Sequence, residues 1–184
     1  MGVFNWKNGL VTLGLLVTGV NAMAQSATVT FSGTVNAATC FITLSTSSGS
    51  TTSAPTLSVT LPTVSTTALT SGATIGKTSF YMGVSGCTAG TALTPNLYLS
   101  SSSASSGYMT SGVTNLVFEL LDSSGNTVVL TTLPTSKATF TVPTTTTAGT
   151  AYSSQFFIQY RANGGAVSAT GSATASMTVN LLYS

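Results

Sequence analysis

The sequence predicts an all-β sandwich, on three observations. Apolar residues make up 42% of the 184 residues and charged residues only 3%. Thr (37) and Ser (28) fill about a third of the chain and mix with Val, Leu and aromatics, a composition that favours strands. Short stretches alternate apolar and polar at period two between Ser/Thr/Gly/Pro loops, and no helix-period stretch appears after the N-terminal region.

The elements follow in chain order. Thr28 to Val35 alternates, with Val29, Phe31, Gly33 and Val35 on one face and Thr28, Thr30, Ser32 and Thr34 on the other. Residues 45–56 read as a low-complexity loop. Leu57, Val59 and Leu61 alternate and are expected to stop at Pro62. Phe80, Met82 and Val84 alternate into Gly86-Cys87, and residues 96–99 form a short strand before a polar loop at 100–106. Residues 116–121 are strongly apolar. Asp122-Ser123-Ser124-Gly125-Asn126 reads as a turn, because glycine supplies a positive φ without steric cost. A returning strand is expected at 128–130, another at Phe140 and Val142 ended by Pro143, then 152–160, and a last at 172–183. Seven to nine short strands at this spacing suggest a sandwich of immunoglobulin type.

Composition also bounds the chemistry. The charged set is Lys7, Lys77, Lys137, Arg161, Glu119 and Asp122, with no histidine. A Ser-His-Asp triad has no base, and only two carboxylates exist to share acid–base work. Histidine- or carboxylate-rich metal sites lack ligands, so no cofactor and no metal are expected. Four scattered cations, net +2, do not make a basic surface for nucleic acid. A Ser or Thr nucleophile beside Lys77 or Lys137 lacks the S-x-x-K spacing. The expected protein is not an enzyme.

Residues 1–24 read as an export signal: a polar start with Lys7, an apolar run of 12 residues from Gly9 to Val20, then Ala22-Met23-Ala24 as an A-x-A cleavage pattern. The run falls short of the roughly 20 apolar residues of a membrane span. Cleavage after Ala24 leaves 160 residues with net charge +1, three cations against two anions. In an exported chain the two cysteines, Cys40 and Cys87, read as one disulfide closing a loop of 48 residues, worth roughly 4 kcal/mol in the chain-entropy model.

Both ends of the expected mature chain are well-patterned strands, although chain ends ordinarily fray. Ala27, Val29, Phe31, Gly33 and Val35 form one stripe; Met177, Val179, Leu181 and Tyr183 form the other. With these ends in view, the sequence resembles a type 1-like fimbrial subunit of the chaperone–usher pathway. The resemblance rests on Phe31-Ser32-Gly33-Thr34-Val35 ahead of Cys40, Val59-Thr60-Leu61-Pro62-Thr63-Val64 after it, and Phe80 running to Cys87. It continues in the segment from Leu120 to Asn126, in Phe156-Phe157-Ile158-Gln159-Tyr160-Arg161-Ala162, in Gly171 fourteenth from the C-terminus, and in the penultimate Tyr183. It covers residues 25–184.

That resemblance implies an incomplete immunoglobulin-like sandwich, the pilin fold, completed by a donated strand. It divides the chain into a signal peptide (1–24), an N-terminal donor-strand extension (25–36) and the pilin domain (37–184). It implies a structural subunit of an adhesive fimbria at the cell surface, reached through the periplasm. The donor strand would carry Ala27, Val29, Phe31, Gly33 and Val35, with Gly33 where a groove admits no side chain; each apolar side chain would contribute roughly 1.5–3 kcal/mol. The acceptor and chaperone-contact edge would carry Gly171, Met177, Val179, Leu181 and Tyr183. The implied partners are a periplasmic chaperone, an outer-membrane usher and neighbouring subunits in a head-to-tail polymer, with a host glycan or surface met by the assembled fibre. The alternative is a minor adaptor or tip subunit with a carbohydrate-binding role, for which Tyr98, Tyr108 and Tyr152 are stacking candidates.

Overall fold

The computed structural model describes residues 24–35, 40–52, 54–86, 95–133, 136–138, 151–168 and 170–183. Most of the export signal, Cys87, and the strand expected at Phe140 and Val142 lie outside the described residues. The strands are β1 (Ala24–Val35), β2 (Phe41–Ser45), β3 (Thr56–Ser65), β4 (Thr74–Ser85), β5 (Pro95–Ser100), β6 (Ala104–Ser105), β7 (Tyr108–Thr110), β8 (Leu116–Leu121), β9 (Ser136–Ala138), β10 (Tyr152–Ala162) and β11 (Gly171–Tyr183).

They form two sheets. One has the order β3-β1-β11-β5-β9, the other β2-β4-β10-β8-β7-β6. Every named pairing is antiparallel except β1 with β11, which run parallel. The inward sets of both sheets meet in one core. It holds Phe31, Phe80, Phe118, Phe156, Ile158, Tyr160, Val179 and Leu181, all within 1% of full burial. Period-two alternation produces this directly: in β10 every second residue from Phe156 to Ala162 is buried.

Several expectations on element boundaries are corrected. β3 does not stop at Pro62 but runs to Ser65. Among the described residues it is an edge strand paired with β1 alone, and the ladder is irregular between Gln25 and Ala27, opposite Pro62 and Thr63. A missing N–H is tolerated at such a place. A single 3-10 turn, Thr66–Ala68, follows, with the Ser65 hydroxyl accepting from the Thr67 N–H. Residues 128–130 are not a strand. Their hydrogen bonds are split: the Val128 N–H donates to Leu120 O and the Leu130 N–H to Gly107 O, leaving isolated bridges. The polar loop after residue 100 contains the short hairpin β6–β7. The turn at 122–126 forms as expected: Gly125 has φ +85°, and Asp122 Oδ1 accepts from the N–H groups of Ser124 and Asn126 at 2.9 and 2.8 Å.

Outward side chains of β1 from Ser26 to Ser32 are hydroxyls and meet hydroxyls on both neighbouring strands. Ser26, Thr28, Thr30 and Ser32 of β1 lie beside Ser172, Thr174, Ser176 and Thr178 of β11, and Thr28, Thr30 and Ser32 beside Thr60, Ser58 and Thr56 of β3.

Candidate functional site

The site is the slot between β3 and β11, and β1 lies in it. Its ladder to β11 joins Ala27 to Ala173, Val29 to Ala175, Phe31 to Met177, Gly33 to Val179 and Val35 to Leu181. Its ladder to β3 joins Ala27 to Leu61, Val29 to Val59 and Phe31 to Leu57. The stripe read as a donor strand and the edge read as its acceptor are therefore direct neighbours, within one chain. The groove that the sequence leaves to a strand from outside is filled here by the chain's own N-terminal strand.

Val29 and Phe31 are wholly buried and Ala27 is 4% exposed. Phe31 packs on Phe80 of the facing sheet at a ring-centroid distance of 4.4 Å, and Phe80 on Phe156 at 6.1 Å. Two aromatic contacts in series bind β1 to the second sheet as well as to its neighbours. At Gly33 a Cβ would stand 3.0 Å from Ile42 Cγ2 and 3.1 Å from Ile42 Cδ1. A side chain at position 33 would thus press on Ile42 of the facing β2, which would have to give by a few tenths of an ångström. On the acceptor side Met177, Val179 and Leu181 are within 1% of full burial. Gly171 opens β11 opposite Gln25, and Tyr183 pairs through its backbone with Pro95.

The two halves of the β1–β11 contact differ. From Phe31 onward β1 faces Met177, Val179 and Leu181. Before it, the partners are Gly171, Ala173 and Ala175, and on the outward face of the sheet an open cleft of about 300 Å³ lies among Ser26, Thr28, Thr60, Ser172 and Thr174. Gln25 enters the interior at this end. It is fully buried, and neither Oε1 nor Nε2 has a hydrogen-bond partner among the described residues. Sequence pattern did not single out Gln25, because a glutamine beside a small-residue cleavage motif carries no burial signal.

Of the other predicted residues, Cys40 is buried and disulfide-bonded, while Cys87, the chain's other cysteine, lies outside the described residues. The tyrosines weighed for sugar stacking are not gathered. Tyr98 is in β5 of the first sheet, and Tyr108 and Tyr152 are in the second, on β7 and at the far end of β10. The Arg161 guanidinium stands 5.1 Å from the Tyr108 ring centroid. Lys77 stands 4.0 Å over the ring of Phe157.

A polar cluster unforeseen in the sequence joins β8 and β10. Glu119, 3% exposed, accepts from Thr127 Oγ1 at 2.7 Å, Gln159 Nε2 at 2.9 Å and Arg161 Nη1 at 3.1 Å. Burial pushes its carboxyl up, but the hydrogen bonds from Gln159 and Thr127, with the charge and hydrogen bond of Arg161, outweigh this and hold it below the usual carboxylate range. The Thr127 contact fixes the segment leaving the 122–126 turn.

Two packed sheets, with the chain's own N-terminal strand lying along its C-terminal one, define an immunoglobulin-like β-sandwich domain. The chain belongs to the fimbrial protein family, whose profile matches residues 29–184. Among solved structures it is similar to the P pilus rod subunit PapA, with 19% identity and a TM-score of 0.58, over 80% of this chain and all of that one. It also matches the antigen and type I fimbria protein of Burkholderia pseudomallei, with 18% identity and a TM-score of 0.44, over 88% of this chain and 94% of that one. A comparison with curated proteins finds no match. The fold is the pilin fold and the chain is a fimbrial structural protein. No helix among the described residues is long and apolar enough to cross a membrane.

Proposed function

We propose that this chain is a structural fimbrial subunit that polymerises by donor-strand exchange, each subunit's residues 25–35 filling the β3–β11 slot of the next. The observation that carries the reading is the pairing of the donor stripe with the acceptor edge: Phe31 beside Met177 and over Phe80, and Gly33 close against Ile42. The slot accepts this strand's side chains, and a strand of the same sequence from a neighbour supplies the same groups. Main-chain ladders on both sides give affinity, and the alternating pockets give specificity. Each subunit contributes one strand and one slot on different surfaces, so the polymer is open-ended.

On this reading residues 1–24 are a cleaved export signal and Cys40 pairs with Cys87. In the periplasm a chaperone protects the slot along Met177, Val179, Leu181 and Tyr183. An outer-membrane usher passes subunits to the surface, where the fibre supports adhesion. Deleting residues 27–35 tests it. The expected result is a subunit that chaperone still captures but that cannot join the fibre through its own strand; normal incorporation at that junction refutes the donor assignment. The native fibre is expected to run as a detergent-resistant ladder that heating collapses to monomer.

A further inference from the structure

We propose that an open cleft of about 390 Å³ on the second sheet, where β7 and β10 finish and β8 begins, binds a neutral saccharide. The cleft is separate from the β3–β11 slot, so the inference goes beyond the strand-exchange reading. Along a fibre the site would recur once per subunit, and repetition multiplies a weak single-site affinity.

The lining sets the ligand class. It includes the exposed hydroxyls of Ser105, Thr110 and Thr114 and the exposed amide of Asn163. Each of these groups both donates and accepts, as every hydroxyl of a sugar does. No lining residue is charged, and the cation bordering the cleft, Arg161, is already paired with buried Glu119 at 3.1 Å. A carboxylate or phosphate finds no free counter-charge there, whereas an uncharged polar ligand needs none. Val117 pairs with Thr110 on one side and Arg161 on the other, and Ser105 pairs with Tyr108. Cross-strand partners share a face, so Tyr108 and Arg161 border the cleft on the outward side of the sheet. The Arg161 guanidinium, 5.1 Å from the Tyr108 ring centroid, holds the half-buried ring there. The ring adds apolar surface with a polar tip, suited to the C–H face of a pyranose.

The cleft is also held in shape without a ligand. The buried Ser111 hydroxyl donates to Leu116 O at 2.6 Å and accepts from the Val113 N–H at 3.1 Å, fixing the 111–116 loop. Asn115, in the left-handed region at φ +62°, ties this loop to the next one. Its Nδ2 donates to Ala166 O at 3.1 Å, and its carbonyl accepts from the Asn163 N–H at 2.9 Å. A concavity already in place spares the ordering cost of binding.

The test lays the fluorescently labelled full chain on an array of neutral and sialylated glycans. Binding to at least one neutral glycan is expected, with no gain from sialylation. Titration of that glycan into the isotope-labelled chain should move the NMR amide signals of Ser105, Thr110, Asn115 and Asn163 and leave those of Met177 to Leu181 in place. Asn163→Ala and Thr110→Val, both at exposed positions, should each weaken binding about tenfold, as loss of a hydrogen bond to the ligand predicts, with the urea midpoint unchanged. Binding to no neutral glycan, binding to acidic glycans alone, or affinity that neither substitution alters overturns the inference. A chain that binds glycan at the cleft but forms no heat-labile ladder leaves the site standing and counts against strand exchange; a ladder without glycan binding does the reverse.

Discussion

Phe31→Ala measures how much of the fold depends on the strand in the slot. Phe31 is 0% exposed, 4.4 Å from Phe80 between ring centroids, and flanked in the sheets by Leu57 and Met177. Truncation removes the buried ring, its pairing with Phe80 and the packing around both. Phe→Ala changes at such sites cost about 3–5 kcal/mol, of which the aromatic pair accounts for roughly 0.5–1.5 kcal/mol. Against a total stability of about 5–15 kcal/mol this is roughly a fifth or more of the fold. For a chain of this size it lowers Tm by roughly 6–20 °C. Urea unfolding of the monomer followed by near-UV circular dichroism reads the loss, and Phe31→Leu should lose less than half as much. The same loss must appear in the partner-strand role, so a peptide carrying Phe31→Ala should bind the slot at least about 100-fold more weakly. A loss under about 1 kcal/mol, with an unchanged urea slope, would refute the packing of β1 described above.

Four further outcomes are expected. Glu119 is held below its unfolded pKa, so its contribution is complete above the ordinary carboxylate range and disappears as pH falls through the folded value. Stability measured by urea from pH 7 to 3 should therefore drop below about pH 4, and Glu119→Gln should flatten that drop. Burial pushes the Tyr160 phenol up to about 12, so stability should fall between pH 10 and 12 as the unfolded chain ionises first; Tyr160→Phe should abolish this alkaline slope in thermal melts. Gly83→Ala should destabilise by more than about 3 kcal/mol, because a Cβ there would collide with the Tyr152 carbonyl oxygen and the Ser153 backbone and force β4 from β10. Reduction of the disulfide at Cys40 should cost about 2–5 kcal/mol, read as a lower urea midpoint in the presence of reductant.

Much of the fold is legible because period-two alternation is a local property. The buried positions of β10 and β11 follow from Phe156 to Ala162 and Met177 to Leu181 without knowledge of partners, whereas β8 is buried at every position. What local pattern does not carry is who pairs with whom. Pro62 reads as a stop until β3 is known to be an edge strand, where its missing N–H leaves nothing unpaired in the sheet. Residues 128–130, three apolar residues in a row, read as a returning strand, yet their hydrogen bonds are divided between β8 and Gly107, which is decided by tertiary position. The donor stripe is visible as a stripe, but its place beside β11 in the same chain is a matter of topology. Gln25 and the Glu119 cluster escape altogether, since burial of a polar side chain depends on what closes over it rather than on its own neighbours in sequence.

The parallel ladder between β1 and β11 has a kinetic consequence. β1 ends at Val35 and Cys40 is already fixed in the sandwich, so four residues tether the strand to its own slot. A tether that short presents the strand at an effective concentration on the order of millimolar. Free subunits at micromolar concentration offer one another the same strand about a thousandfold more dilutely, so equal contacts leave the monomer closed on itself. If subunits join by strand exchange, as proposed, fibre growth then draws on either a better fit of the strand in the neighbour's slot or a site that gathers subunits and holds one slot open. On the proposed strand-exchange reading, the isolated chain is a self-closed unit that polymerises where it is concentrated rather than wherever it is made.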